Sequence, residues 1–442
     1  MARINLDFNK ITGIVRPLHG INNAPLLGTN DSLFHYLGDA GIPFSRLHDT
    51  GGRYGGYVYV DIENIFRNFD ADVNDPASYD FVFTDWLLNQ LHAQGTEAFY
   101  RLGCTIENSH FLRAYRIMPP KDPQKWAEIC AHIIAHYNDG WANGFNLGIR
   151  YWEIWNEPDN APDIKDNPMW KGTAEQYFEL YDASAKLIKS RWPDIKVGGY
   201  ASCGFYAILG SEGDKNANVS PRTRYFIDFA RDFFAHIRES GAPLDFFSWH
   251  SYGTAEDNIK YAEFARDLMT EFGYGDAESI LNEWNPGIAN RGLLKDAVLI
   301  AGMLCTMHTK TDIDLMTYYD GQVNGSYQGL FDPIKHVPFK AYYVFPAFNA
   351  LYRLGNAVET EYSSNSVPAM AAKGENGVAL MISNTRSRAS DIEISGLPDG
   401  EYVLKLIDKK HKLDDCGTFK ASAGKLSLKL GAYNVALLES KK

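Results

Sequence analysis

The stretch Gly148-Ile149-Arg150-Tyr151-Trp152-Glu153-Ile154-Trp155-Asn156-Glu157-Pro158-Asp159 decides the reading of this chain. Its aromatic and β-branched residues favour a buried, pleated strand. Pro158, which lacks a backbone donor and fixes φ, should stop that strand at Asn156-Glu157. A carboxylate is thereby delivered to the carboxyl end of a strand, where α/β barrels carry their reactive groups. Taken alone, the same spacing also describes an ordinary solvated turn. A second stretch shifts the balance: Ser279-Ile280-Leu281-Asn282-Glu283-Trp284-Asn285-Pro286 is again a short apolar strand ending in Glu, with Pro close behind. Two carboxylates on strand tips make a pair suited to acid and nucleophile roles.

A strand-then-helix rhythm surrounds both stretches and persists to about residue 350. Candidate strands lie at 15–21, 44–47, 98–102, 149–155, 195–200, 245–250, 280–283 and 314–318. Helical periodicity fills several intervals. Trp126, Ile129, Cys130, Ile133, Ile134 and Tyr137 share one face, and Thr173-Ala174-Glu175-Gln176 has the pattern of a capping box ahead of Tyr177, Phe178, Tyr181, Ala185 and Ile188. Eight strands alternating with helices over ~330 residues predict an α/β fold, a (β/α)8 TIM barrel. The interval from Glu157 to Glu283 divides over three βα units at ~42 residues each, which assigns the glutamates to strands four and seven. A doubly wound sheet would share the alternation, but its phosphate-binding glycine fingerprint is missing after the first strand.

Beyond Leu354-Gly355-Asn356 the rhythm changes to short alternating strands at 378–382, 391–394, 402–407, 426–430 and 435–438, separated by turns such as Pro398-Asp399-Gly400. They predict an accessory C-terminal antiparallel β-sandwich, completed by the alternating Arg3-Ile4-Asn5-Leu6-Asp7-Phe8. The expected division is a catalytic barrel over 14–350 and an accessory domain over 351–442 with strand 1–13. No low-complexity linker separates them, so a packed junction is expected.

Composition limits the function classes. A chain of 442 residues exceeds one ordinary core, and 45% hydrophobic residues can bury a large one. A net charge of −12 without basic runs argues against nucleic acid or an anionic membrane as partner. Cys104, Cys130, Cys203, Cys305 and Cys416 lack the spacing of a zinc site or redox dithiol and read as free thiols with at most one pair. Asp70, Asp72 and Asn74 imitate the start of a calcium loop, but its glycine and closing Glu are absent, so no metal or cofactor is expected. The start Met1-Ala2-Arg3 opens no signal peptide or transmembrane helix; a trimmed leader would look the same, so compartment stays open. Sequons at Asn30, Asn218 and Asn324 decide nothing.

Trp155-Asn156-Glu157-Pro158 with Asn282-Glu283-Trp284, preceded by Trp249-His250-Ser251-Tyr252 at the end of strand six, resembles a retaining glycoside hydrolase of the clan with glutamates on strands four and seven. More narrowly, the chain resembles family 39, the β-xylosidase and α-L-iduronidase family, over nearly its whole length. The resemblance implies that Glu157 is the general acid/base and Glu283 the nucleophile. It implies that Arg46 and Tyr252 keep Glu283 ionised and that Asn156 holds the 2-hydroxyl of the sugar. A partly desolvated acid beside a second carboxylate should have a raised pKa. Taken singly, Arg46 reads as a buried ion-pair partner and His250 as a core histidine; their places on the tips of strands two and six favour the site. His48 and His19 are further candidates for sugar hydroxyls. Of Trp155, Trp249 and Trp284, only Trp284 is carried forward as a sugar platform.

Several positions depart from the family's xylosidase members. Asp159 stands where Asn is common, Glu283 sits in Asn-Glu-Trp rather than Thr-Glu-Phe, and Tyr318-Tyr319-Asp320-Gly321 lacks the usual Tyr-Trp and the acidic pair after it. The expected partner is therefore an oligosaccharide or glycoside with a terminal neutral sugar, xylose, a similar pentose or galactose, rather than iduronate. The strand-eight loop 320–327 carries no Lys or Arg for a sugar carboxylate, although Arg53 could supply one. Within the family the alternatives are β-galactosidase, α-L-arabinopyranosidase or α-L-iduronidase. Outside it stand an inverting enzyme and a catalytically idle carbohydrate-binding barrel.

Overall fold

Runs of residues buried on both faces become the staves of a closed parallel barrel in the computed structural model, which describes residues 1–27, 31–50, 59–106, 115–210, 219–325 and 327–441. After an N-terminal strand β1 (Ala2–Ile14), the barrel strands are β2 (Gly20–Asn22), β3 (Phe44–Leu47), β4 (Glu97–Leu102), β5 (Tyr151–Ile154), β6 (Lys196–Ser202), β7 (Phe246–His250), β8 (Glu278–Trp284) and β9 (Leu315–Tyr318). They close in chain order, each parallel to its neighbours. Around them run α1 (His35–Ala40), α2 (Ile62–Ile65), α3 (Val82–Ala93), α4 (Pro123–Asn138), α5 (Ala174–Arg191), α6 (Pro221–Ser240), α7 (Ala255–Glu271), α8 (Leu294–Lys310) and α9 (Val344–Tyr352). The predicted face of α4 is buried throughout, and the Thr173/Gln176 capping box opens α5.

The first barrel strand lies later than predicted. The apolar run 15–21 is divided: the amide of Val15 bonds Gly355 O beside β1, Pro17 can donate nothing, and only Gly20–Asn22 joins the barrel. Gly20 fits because a Cβ there would meet Thr317 Cγ2 at 2.8 Å and Met316 O at 2.9 Å. Arg53, Asn30 and Asn218 lie outside the described residues.

Side chains alternate in direction along a strand, so the barrel interior is built in layers. The floor is apolar: Phe44, Phe99, Tyr151, Phe246, Ile280 and Leu315 form one buried cluster, with Phe99 stacked on Tyr151 at 5.1 Å and edge-on to Phe246 at 5.3 Å. Two residues further along their strands, Arg46, Glu153, Ser248 and Asn282 make a polar layer. His48 and His250 follow at the mouth. Strand β8 breaks the alternation: Trp249 pairs with Leu281 but His250 with Glu283, so one extra residue re-aims Glu283 inward beside Asn282.

The C-terminal strands are β10 (Asn356–Tyr362), β11 (Ala369–Gly374), β12 (Gly377–Asn384), β13 (Ser390–Ser395), β14 (Gly400–Ile407), β15 (Lys412–Ala421), β16 (Lys425–Leu430) and β17 (Asn434–Ser440). With β1 they make one nine-stranded sheet, antiparallel except for the β1–β13 pair, wrapped around its own apolar core of Ile4, Leu380, Ile392, Leu404 and Leu438 among others. The barrel packs directly on it: Ser383 Oγ donates to Val298 O of α8 at 2.7 Å, and the Arg16 guanidinium caps α8 through Met307 O and His308 O.

Truncating the floor tests whether it holds the barrel open. Phe99→Ala should cost about 3–5 kcal/mol through lost burial and residual cavity. The check is a lowered urea midpoint at nearly unchanged slope; an unchanged midpoint would mean that the layer refills the space and contributes nothing.

Candidate active site

Arg46 is fully buried in the polar layer and uses its guanidinium on four side chains from three strands. Nε donates to Glu153 Oε2 of β5 at 2.7 Å, Nη2 to Asn156 Oδ1 at 2.6 Å, and Nη1 to Glu283 Oε1 of β8 at 2.8 Å and to Asn22 Oδ1 of β2 at 3.1 Å. Glu153 has no exposed surface, and its other oxygen accepts from Ser248 Oγ at 2.6 Å and Asn282 Nδ2 at 2.5 Å. A planar five-donor cation suits this task because it serves two carboxylates and two amides at once.

Above this layer stand the two predicted carboxylates. β5 ends at Ile154, and left-handed φ at Trp155 (75°) and Glu157 (46°) turns the chain, sending Trp155 outward against Trp126 and Trp170 while Glu157 remains at the mouth. Positive φ at two bulky residues is costly and concentrates where function fixes a geometry. Glu157 Oε1 lies 2.8 Å from His250 Nδ1, and its Oε2 accepts from Asn160 Nδ2 at 2.6 Å. Glu283 Oε2 accepts from the Tyr252 hydroxyl at 2.9 Å and lies 3.5 Å from the same His250 Nδ1. One oxygen each of Glu157 and Glu283 and one His250 nitrogen lie within 4.8 Å of one another.

The proton distribution differs from the expected one. Burial raises the pKa of Glu157, but hydrogen bonding and charge from His250 outweigh it, so the net direction is down. Glu283 is raised, chiefly by burial, with Glu157 and Asp49 adding to the effect against relief from His250 and Arg46. His250 is raised because the two carboxylates outweigh its own burial. These directions favour the imidazole over Glu157 as the group that holds a proton, opposite to the sequence expectation. Among the described residues the imidazole Nε2 has no hydrogen-bond partner.

Arg46, Asn156, Glu157, His250, Tyr252 and Glu283 thus form one connected group. His48 is at the same mouth, buried and held neutral by burial with Arg101 and Arg46 nearby. Two expectations fail. Trp284 has no exposed surface and stands edge-on to Tyr318 at 5.5 Å, which leaves no face for a sugar. His19 precedes β2 and packs between Phe348 and Tyr352, with burial lowering its pKa to about 4. The sequence reading missed Glu153, although a charge inside a buried strand was a signal. It also missed Asp159, which is pushed up to about 7 by burial and by Glu157, and Asp49 and Asp320, each two residues past the end of a predicted strand.

Among the described residues, two sets of ligand-type atoms are close enough for one ion: Asp61, Glu63 and Cys104, and the Glu157–His250–Glu283 set. In the first, Arg101 occupies Asp61 at 2.7 Å and the Cys104 thiol donates to Glu63 at 3.0 Å. The second is already joined by the imidazole. The calcium-like residues Asp72 and Asn74 form a local turn, with Asn74 N on Asp72 Oδ1 at 2.9 Å. All five cysteines are free thiols.

Fold and site define the class first: a TIM barrel whose C-terminal mouth gathers two glutamates around an imidazole and a buried arginine. Residues 51–305 match the family described as Glycosyl hydrolases family 39, and the chain belongs to that family. It is 26% identical over 398 residues to a beta-xylosidase of Caldicellulosiruptor saccharolyticus, spanning 80% of this chain and 72% of that one. To a beta-xylosidase of Geobacillus stearothermophilus it is 22% identical over 366 residues, spanning 72% of this chain and 67% of that one. In three dimensions it resembles a glucosidase from Croceicoccus marinus, with a TM-score of 0.80, 20% identity and coverage of 100% and 99% of the two chains. A monomeric beta-xylosidase from Caulobacter crescentus gives 0.69, with 18% identity and 99% of each chain covered.

Arg46→Lys tests the polar layer. One ammonium cannot reach Asn22, Glu153, Asn156 and Glu283 together, so at least two charge-assisted bonds are lost, at about 1.5–3 kcal/mol each. A urea midpoint equal to that of the parent would show that the guanidinium fork is dispensable.

Proposed function

We propose that the protein is a retaining exo-glycosidase, β-xylosidase-like, that removes a terminal neutral sugar by double displacement. The observation that carries this reading is the close approach of Glu157 and Glu283, with oxygens within 4.8 Å across a shared imidazole. An inverting enzyme places its carboxyl groups ~6.5–9.5 Å apart to admit a water, whereas a retaining one needs ~5–5.5 Å.

In the first step the Glu283 carboxylate attacks the anomeric carbon while Glu157 gives its proton to the glycosidic oxygen. The aglycone leaves as an alcohol and a glycosyl ester forms on Glu283. In the second step Glu157, now a carboxylate, takes a proton from water; the resulting hydroxide equivalent attacks the anomeric carbon, and Glu283 is released. The acid-ready arrangement, Glu157 protonated and Glu283 ionised, arises from the resting state by moving the His250 proton across the 2.8 Å contact to Glu157. Arg46 and the Tyr252 hydroxyl then remain on Glu283 to hold its charge. Because Asn156 Oδ1 is engaged by Arg46, its Nδ2 is the group left to donate to the sugar's 2-hydroxyl. The two curated relatives described as beta-xylosidases support xylose as the first sugar to try; the Croceicoccus glucosidase adds glucose.

A panel of nitrophenyl β-xyloside, β-glucoside, β-galactoside, α-L-arabinopyranoside and α-L-iduronide identifies the sugar, with the xyloside expected to lead. Its 2-fluoro activated derivative should then label Glu283, as located by peptide mass spectrometry. A label on another residue, or a clear preference for the iduronide, would overturn the corresponding part of the proposal.

Glu157→Ala should lose about 10²–10⁴-fold on glycosides with poor leaving groups, keep more on activated aryl glycosides, and recover with azide. A loss independent of the leaving group, with no azide rescue, would remove Glu157 from the acid/base role.

A further inference from the structure

Glu157 offers one oxygen to each of two partners, and the double displacement uses only one of them. Oε1 faces His250 Nδ1 at 2.8 Å; Oε2 accepts from Asn160 Nδ2 at 2.6 Å. Asn160 closes the turn that follows β5. Its amide donates to Glu157 O at 3.1 Å with Pro158 in between, which brings the side chains at the two ends of the turn together. The turn is anchored on both sides: Asp159 accepts from Ser202 Oγ at 2.9 Å and from the Cys203 amide at 3.2 Å, and Asn167 Nδ2 donates to Pro158 O at 2.8 Å.

A carboxamide can present either end to a carboxyl group, and the second partner of Asn160 decides which. Arg222 donates from Nε to Asn160 O at 2.6 Å and from Nη2 to Asn160 Oδ1 at 3.0 Å. A guanidinium carries donors only, so the atom facing it must be the carbonyl oxygen, and the atom facing Glu157 must be the NH2 group. Arg222 is the second residue of α6, behind the Ser220/Thr223 capping box and Pro221. The first turn of a helix disfavours a cation, so the helix end gains nothing from this charge. What the guanidinium gains is the pair of bonds to Asn160, with its planar head 4.9 Å from the Phe226 ring.

This orientation has a chemical consequence. An NH2 group cannot accept, so a proton on Oε2 would stand against a donor hydrogen, whereas a proton on Oε1 leaves the Asn160 bond intact. We propose that Arg222 and Asn160 are a positioning pair that confines the acid proton of Glu157 to Oε1, the oxygen facing His250. The proposal rests on the glycosidase reading and deepens it. The proton leaves His250 Nδ1 and bonds to Oε1 across their contact, and the same Oε1–H bond breaks as the glycosidic oxygen takes the proton. Arg222 acts through Asn160 and not on a reacting atom. The Asn160 bond strengthens as Glu157 becomes a carboxylate, which favours the transition state over the bound glycoside. Burial raises the Glu157 pKa, and hydrogen bonds from His250 and then Asn160 bring it down. Glu283, Asp159, Cys203, Tyr206 and Tyr252 share its field and stay in place in the variants below.

The test compares a glycoside of a poor leaving group with a dinitrophenyl glycoside of the same sugar, in the parent, Asn160→Ala, Arg222→Met and the double variant, with folding verified by urea midpoint. The activated aglycone needs no acid. On the poor leaving group, kcat/KM should fall at least ~10-fold in Asn160→Ala, the size of one hydrogen bond to a charged group, and much less on the activated one. Arg222→Met should lose in the same sense, because the freed amide can turn its Oδ1 toward the acid, and should add nothing on top of Asn160→Ala. Asn160→Asp keeps the turn and both Arg222 bonds but replaces the donor with an acceptor, so it should lose as much as Asn160→Ala. A parental rate in Asn160→Asp, equal losses on both leaving groups, or additive losses from the two positions would show that the pair only holds the turn, and each overturns the proposal. If no glycoside is cleaved, the glycosidase reading fails separately. Carboxyl 13C NMR titration, with Glu157 assigned through Glu157→Gln, then decides the pair without substrate: its midpoint should rise by about one pH unit in Asn160→Ala, and an unmoved midpoint overturns the assignment.

Discussion

A single buried cation organises the upper half of the barrel. Arg46 has no exposed surface and reaches side chains from or beside β2, β5 and β8, so its position couples strands on opposite walls. Burying a guanidinium is expensive unless every donor finds a charged or polar acceptor, and removing one partner leaves the other charge uncompensated. Glu153 meets that requirement from below, and Asn282 binds Glu153 in turn. Asn282 enters that layer by ordinary alternation two residues after Ile280, and the extra residue of β8 then re-aims Glu283 inward beside it, so the polar layer and the proposed nucleophile are adjacent on one strand. Beneath it the aromatic floor excludes water and keeps these ionic contacts in a low-dielectric setting, where they are strong and their geometry is strictly defined.

Much of this architecture was legible because buried parallel strands are short apolar runs with clear ends. Strand β3 is found at its predicted limits, and the other barrel strands except β2 within a few residues. The exception follows from a polar residue: Asn22 is inside the barrel but interrupts the apolar pattern that would have marked β2. Strands missed in the C-terminal sheet fail for other reasons. β11 is Ala-Met-Ala-Ala, which has no β preference of its own, and β15 is exposed along most of its length, so neither alternation nor hydrophobicity marks it. Tertiary pairing with β10, β12 and β14 makes them strands.

The candidate site divides in the same way. Residues at strand ends with a neighbouring proline or aromatic, such as Glu157, Glu283, His250 and Tyr252, could be read from local pattern. Relationships between loops could not: nothing in the spacing of Asp49 and Asp320 tells that β3 and β9 flank β2. The indole of Trp284 misled because an aromatic beside a carboxylate looks the same in sequence whether it faces the mouth or the helix layer. The proton distribution differs from expectation because His250 reads in sequence as a sugar-binding or core residue and not as a holder of the proton. It lies between two carboxylates, and the coupled group of three has to be considered as a unit.

That coupled group also explains how a neutral sugar can be selected for reaction rather than merely for binding. Around the mouth, Arg46 and His250, whose pKa the glutamates raise, face Glu153, Glu157 and Glu283 with Asp49 nearby, while burial pushes Asp320 up to about 8, so among these groups carboxylates outnumber cations in a buried setting. A neutral glycoside gains little from this field in its ground state. On the double-displacement reading its anomeric carbon becomes oxocarbenium-like in the transition state, and the same fixed carboxylates then face a developing cation without having to reorganise. The interactions grow as the barrier is climbed, which raises the rate where uniform binding would not. Arg46 limits the effect: without a cation on Glu283, burial would drive that carboxylate toward protonation and remove the nucleophile. The site thus works within a narrow charge balance, negative enough to favour the transition state and positive enough at one point to keep Glu283 ionised.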